Sequence, residues 1–442
     1  MRRSYLAMAV VLSGCASGAR HLRIADEARR LQQTGDQANA HRMFAEALCK
    51  EEVSLDNARA VVETWVALGK PGRADQRLER CALPVHVRGY LEGLAAAAEE
   101  QWEVAGADLM RAEATAPDDA ARAEIAYRLG LVSLEQGHID DAIVVLQRSA
   151  GLAPLRPDVR LGLAQAQARA RLFAECADTL RGVVAIPMRA TDLERGRRIL
   201  RNAVRAAEDP LPDSMRVELA ELLTISERGV IDEQHLARVR ELMTEQRHAS
   251  VLMVAGVLAM RAGDHAMATV WLNEATILAP LDADPPRALG IAFFAADRPS
   301  LAVGPLRDAA RRDPFDLQVR GMLAAAASKV GESDVALEAY RALTVLAPAE
   351  PDNFLWVARL ERKSGRNEAA RAATERGLAV QSDNVLLLVE RAAISAQMTL
   401  AEREPDARRA AAEQTREAVD RLLTVAPGHP GADAIKKSVD GI

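Results

Sequence analysis

Small, turn and large apolar residues return along the second half of this chain every 34 positions. Small residues stand at Gly256, Gly290, Ala324 and Ala358, and again at Ala268, Ala302, Ala336 and Ala370. Five positions ahead of each member of the second set is a turn residue: Gly263, Asp297, Gly331 and Gly365. Twelve positions after the first three lies a proline, at Pro280, Pro314 and Pro348, and large apolar Leu272, Leu306 and Tyr340 fill one place in successive copies. The spacing predicts two helices per period. The turn residue takes the conformation that ends the first helix. The proline closes the second, because it cannot continue one. The two small residues let the helix backbones approach where the helices cross.

The same register returns, more weakly, in the first half. Gly35, Ala40 and Phe44 mark one copy; Trp65, Gly69 and Ala74 a second; Gly93, Ala105 and Pro117 a third. The fourth has Leu129, Gly130, Gly137, Ala142, Leu146 and Pro154, and the fifth Leu163, Ala164, Cys176 and Leu180. Residues 188–248 keep a helical pattern but lose the signature. They read as three helices, the second capped by Ser214 and ending at Gly229. The last copy starts near Val385, and extra residues around "AEREPDARR" lengthen its turn or its helices. "HPGADAIKKSVDGI" reads as a polar helix that shields the last apolar face, as a stack of repeats requires.

This pattern resembles the tetratricopeptide repeat (TPR), a pair of antiparallel helices per 34 residues. The resemblance covers nearly all of residues 21–435. It implies an all-α fold, an α-solenoid of antiparallel helix pairs (a TPR superhelix) of about 10–11 repeats, some degenerate. The organisation expected is an N-terminal array over 21–187, degenerate helical repeats or a three-helix joint over 188–248, a C-terminal array over 249–426, and a capping helix and tail over 427–442.

The first residues follow a different pattern. Arg2 and Arg3 precede an apolar run from Leu6 to Leu12, then Ser13, Gly14 and Cys15. Charged start, apolar run and small residues are the order of a secretory signal. The run is too short to span a hydrocarbon core, which needs about twenty residues. Leu12-Ser13-Gly14-Cys15 resembles the lipobox of bacterial lipoproteins. The resemblance implies a signal peptide over 1–14, acylation of Cys15, and a lipidated tether over 15–20. Ala16, where an aspartate retains some lipoproteins in the inner membrane, implies the outer membrane, facing the periplasm.

Composition narrows the chemistry. Aromatic residues make up 3% of the 442, which favours close helix packing over strands. A net charge of −6 offers no basic excess for nucleic acid. Eight histidines are scattered singly, with none paired at i and i+4, so no metal site is expected. "LGKPGRA" lacks the spacing of a phosphate loop, and no strand precedes it. No catalytic residues, cofactor or small-molecule substrate are expected, and the chain does not read as an enzyme. Cys176 takes a small-residue position. Cys49 and Cys81, expected on second helices of adjacent copies, read as two buried thiols, with a bridge as the alternative.

Without a catalytic centre, function falls to a binding face. The TPR resemblance implies a concave face lined by first helices. Its exposed positions are Tyr127, Leu131 and Leu134 in the fourth copy, then Met253, Val257 and Met260, then Arg287, Ile291 and Phe294, then Lys329, and finally Arg359, Arg362 and Lys363. That face passes from apolar to basic, which suits a protein partner presenting an amphipathic helix or a peptide. The expected function is a lipid-anchored, periplasm-facing scaffold in an envelope assembly of pilus, secretion or motility type. The alternative is an accessory subunit that positions an envelope polysaccharide or peptidoglycan enzyme.

Overall fold

The computed structural model describes residues 24–50, 53–69, 81–207, 210–228, 231–440 and 442. The leader, Cys15 and the tether lie outside the described residues, as does Ala74. Among the described residues there are helices and connections and no strands, and no helix is long and apolar enough to cross a membrane. The fold is an α-solenoid of helix pairs, in which each helix packs mainly on the next in sequence. It divides into two compact units, Met1–Cys176 and Ala177–Ile442, with the boundary inside the helix Phe173–Val183.

The periodic residues do what their chemistry predicts. Gly263, Gly331 and Gly365 have φ of 84°, 83° and 76°, and Asp297, in the same place, has 51°. All four thus adopt the left-handed conformation that ends a helix, in which Asp is one of the few tolerated side chains. Second helices end at Leu152, Leu278, Arg312 and Leu346, each two residues before Pro154, Pro280, Pro314 or Pro348. A proline disfavours helical backbone in the residue before it.

The small residues mark close crossings. A Cβ built on Gly93, Gly130, Gly256 or Gly290 would stand 2.7, 2.5, 2.5 or 2.7 Å from Cγ or Cδ of Leu109, Leu146, Leu272 or Leu306. The glycine on the first helix makes room for the leucine on the second. Gly256→Ala is expected to lower the stability of the second unit by about 1–3 kcal/mol, because the crossing must open or Leu272 must leave its rotamer. Denaturant unfolding of the variant measures this; an unchanged midpoint would mean the crossing has slack.

In the first unit the pairs are Ile24–Gln33 with Gln37–Lys50, Val85–Ala98 with Trp102–Ala114, and Asp119–Gln136 with Ile139–Leu152. Leu55–Ala67 packs between Gln37–Lys50 and Val85–Ala98. Cys49 and Cys81 form a disulfide, with Cα atoms 5.5 Å apart. This corrects the expectation of two separate thiols. Cys81 is not on a helix but ahead of Val85–Ala98, which frees its side chain to reach Cys49. The bridge joins residues 32 apart in sequence. Closing that loop in the unfolded chain contributes about 3.7 kcal/mol on the chain-entropy model. Reduction is expected to lower the first unit's unfolding free energy by about that amount, and alkylation of denatured protein should gain two adducts after reduction. Equal stability with and without reductant would contradict this. Cys176 is a free, buried thiol, and burial pushes its pKa up to about 12, so it is inert packing.

The second unit holds the regular pairs Ala249–Arg261 with His265–Leu278, Asp284–Ala295 with Pro299–Arg312, Leu317–Val330 with Ser333–Leu346, and Pro351–Lys363 with Asn367–Val380. The last pair, Val385–Ala401 with Pro405–Val425, is lengthened in both helices, and Pro430–Val439 packs against it. Residues 188–248 form three helices. Asp213–Arg228 begins one residue before Ser214, which therefore lies inside the helix rather than capping it. This helix and Glu233–Glu245 both rest on Ala249–Arg261. The third, Ala190–Ala207, sets Gly196 against buried Phe315, whose Cζ lies 2.5 Å from where a Gly196 Cβ would be. Arg197 also donates to the Phe315 carbonyl at 3.5 Å.

Candidate functional site

First helices of neighbouring copies touch one another from Val85–Ala98 through Asp119–Gln136 to Pro157–Arg169 in the first unit, and in the second from Ala249–Arg261 through Asp284–Ala295 to Leu317–Val330 and again from Pro351–Lys363 to Val385–Ala401. Among the described residues of the first unit, the face these helices line carries a polar cluster. Glu124 projects from Asp119–Gln136 and is 8% exposed. The Tyr90 hydroxyl, from the preceding first helix, donates to Glu124 Oε1 at 2.5 Å. Arg128 Nε donates to the same oxygen at 2.9 Å, and Arg156 lies 2.6 Å from Oε2. Arg59, one copy earlier, is 3.9 Å away and also contacts Asp56 and Glu63 at 2.9 and 3.5 Å. The Arg128 and Arg156 guanidiniums flank the Tyr127 ring, 5.2 and 5.4 Å from its centroid.

Burial alone would raise the Glu124 pKa, but Arg128, Arg156, the Tyr90 hydroxyl and Arg59 outweigh it and hold the carboxyl at about 2. Burial, with Glu124 beside it, pushes the Tyr90 phenol well above its usual range. Glu63 is raised, because burial outweighs the attraction of Arg59 and Arg128. Arg59, Arg128 and Arg156 face Asp56, Glu63, Glu124 and Asp158, so the cluster spends its charges internally. It ties three first helices together and, with three guanidiniums facing four carboxylates, offers no positive excess to a ligand.

Sequence reasoning missed this cluster. The helical spacing of three and four that puts Tyr127, Leu131 and Leu134 on one face also yields Glu124, three residues before Tyr127. Applied to Leu55–Ala67, it yields Asp56, Arg59 and Glu63.

The expected apolar patch of the first unit is not a surface. Tyr127 and Leu134 are 4% and 3% exposed and pack with Ile143, Leu146, Val159 and Leu163, and half-buried Leu131 leans on the same core. These positions face the next helix pair instead of solvent. In the second unit, Met253, Val257 and Met260 are half-buried on Ala249–Arg261, and Ile291 and Phe294 are half-buried on Asp284–Ala295. Arg287 is half-buried, with its guanidinium 3.1 Å from Asp316 and 2.9 Å from Gln318.

The basic positions follow. Lys329 Nζ is 3.0 Å from Asp297 and 5.9 Å from the Phe294 ring centroid. Arg362 Nε donates to Glu390 at 2.5 Å, and Arg359 lies 3.7 Å from the same carboxylate, which is itself buried. Lys363 is exposed one turn along from Arg359. Two arginines share one carboxylate here, so this end of the face keeps a positive excess that the first unit's cluster lacks. Trp356, which sequence reasoning also missed, stands on the same helix at 38% exposure, stacked on Tyr340 with centroids 5.7 Å apart.

No protein-family model matches the chain, and no curated protein matches it. Several solved structures are similar. YrrB, a TPR protein with an unusual peptide-binding site, aligns with a TM-score of 0.34 and 14% identity over 45% of this chain and 97% of YrrB. MamA of AMB-1 aligns with a TM-score of 0.31 and 20% identity over 39% of this chain and 94% of MamA. The C-terminal part of a TPR repeat-containing protein from Cytophaga hutchinsonii aligns with a TM-score of 0.32 and 13% identity, over 70% of this chain and 98% of that one.

Proposed function

We propose that this chain is a scaffold of the bacterial cell envelope that holds a protein partner on the first-helix face of its second unit. The observation that carries this reading is the run of half-buried apolar side chains on consecutive first helices, Met253 and Val257 followed by Ile291 and Phe294, leading to a basic end. Side chains of this kind gain from a further contact at small entropic cost, because packing already limits their motion. An apolar strip with charge at one end also fixes the direction of an incoming helix or peptide.

Attachment to a membrane, with the outer membrane facing the periplasm as the expected site, rests on the lipobox-like Leu12-Ser13-Gly14-Cys15. A disulfide between Cys49 and Cys81 is in keeping with export, since such bridges persist in oxidising compartments. A pilus, secretion or motility assembly is the setting in which a tethered scaffold of this kind would work.

Affinity capture from envelope extracts tests both parts. The full chain should retain a discrete partner, and a Val257→Ala, Ile291→Ala, Phe294→Ala triple variant should lose it. Cys15→Ser should abolish palmitate labelling and leave the membrane fraction while still binding the partner. Retention of the partner by the triple variant, or membrane recovery of Cys15→Ser, would contradict the corresponding part.

A further inference from the structure

We infer that the basic end of the second unit's first-helix face is a docking site for an acidic segment of a partner protein, anchored on Trp356. This rests on the reading that the face binds protein, and it specifies the chemistry of what is bound.

Four observations support it. Trp356 is exposed, whereas Trp65 and Trp271 are buried and Trp102 is half-buried. Its ring lies nearly parallel to that of buried Tyr340, at 11°, so its orientation is fixed before any partner arrives. The Arg359 guanidinium sits 5.1 Å from the Trp356 centroid and is held by Glu390 together with Arg362. Glu390 is buried and shared between two arginines, so one positive charge is left over, and exposed Lys363 adds another. A fixed tryptophan beside fixed arginines is the composition that dominates binding energy at protein interfaces.

Charge selects the partner. The chain carries −6 overall, yet this spot is positive. Lys329 and Lys363 hold the same place on successive first helices, 34 residues apart. The fit is an acidic segment whose carboxylates meet Arg359 and Lys363, with an apolar side chain beside them to cover the Trp356 ring. The Lys329–Asp297 contact is an exposed pair of little net strength, and an incoming carboxylate can replace it.

Fluorescence anisotropy of the full chain with a labelled 12-residue peptide, in which Glu at every third position alternates with Leu and Ser, tests the inference. It should bind at least tenfold more tightly than its Gln analogue. Lys363→Glu and Trp356→Ala, checked for native helicity by circular dichroism, should each lose tenfold or more. A Lys436→Glu, Lys437→Glu variant, which changes a basic pair on the terminal helix, should bind as the wild type does. Equal binding of the Glu and Gln peptides, or no effect of Lys363→Glu, would overturn the inference. So would tighter, Lys363-dependent binding to phosphatidylglycerol vesicles or to a DNA duplex. If Lys363→Glu still captures the envelope partner that the Val257, Ile291, Phe294 variant loses, the acidic specificity fails while the binding face stands. If neither variant affects capture, the binding face itself fails.

Discussion

Replacing Glu124 with Gln lowers the stability of the first unit by about 3 kcal/mol at pH 7. The substitution keeps the shape and removes the charge, leaving Arg128 and Arg156 partly buried without the carboxylate they share. Breaking a buried ion pair from one side costs about 3–5 kcal/mol. The titration of the group leads to a similar figure. A carboxyl held at about 2 in the folded chain, against an ordinary 4.5, stabilises the fold by about 3 kcal/mol above pH 4.5. Because the folded pKa is depressed, that contribution is complete above the unfolded pKa and disappears as pH falls from about 4.5 towards 2. The two proteins should therefore differ at pH 7 and converge near pH 2. Glu63, whose pKa is raised by burial and further by the Glu124 charge, acts in the opposite sense, and removing that charge relieves part of its cost and offsets a small part of the difference. Denaturant unfolding across this range checks the prediction. A gap that persists at pH 2, or is absent at pH 7, would contradict it.

In the second unit, Phe315→Ala is expected to cost about 3–5 kcal/mol. The ring is 2% exposed and fills the space above Gly196 on a helix more than a hundred residues earlier. Losing it opens a cavity at the contact that joins Ala190–Ala207 to the turn after Pro299–Arg312. Gly196→Ala should also destabilise, by about 1–3 kcal/mol, since its Cβ meets the ring. In the Phe315→Ala background the same change should cost less, because the cavity receives the methyl group. Unfolding of the two single variants and the double variant gives the coupling directly; strict additivity would mean that the two residues do not share one site.

The helix pairs were legible because their signals are local. A glycine or aspartate in a left-handed turn, a proline two residues past a helix end, and a glycine opposite a leucine sixteen positions later each act through steric rules within one period. Contacts one period apart were legible in principle. Tyr90 and Glu124 are 34 residues apart and Cys49 and Cys81 are 32 apart, which puts each pair in adjacent copies. The Tyr90–Glu124 contact gave no signal, and the Cys49–Cys81 bridge stood only as the alternative, because the copies around residues 40–117 are irregularly spaced and the register there is weak. The Gly196–Phe315 contact has no periodic signal, since it joins a helix of the degenerate region to a regular copy that is not its neighbour in sequence. Burial of Tyr127 and Leu134 was hidden for another reason. The first-helix positions that face a groove lie beside those that face the next pair, and an apolar residue serves either place.

The central claim is that this chain acts by contact through its first helices. Photo-crosslinking in intact cells tests it most directly, with the crosslinker placed at Ile291 or Lys363 on first helices and at Val270 or Ile277 on the second helix His265–Leu278, where both side chains are exposed. The account predicts a discrete partner adduct from Ile291 and Lys363 and none from Val270 and Ile277. Adducts from the second-helix positions alone would contradict it.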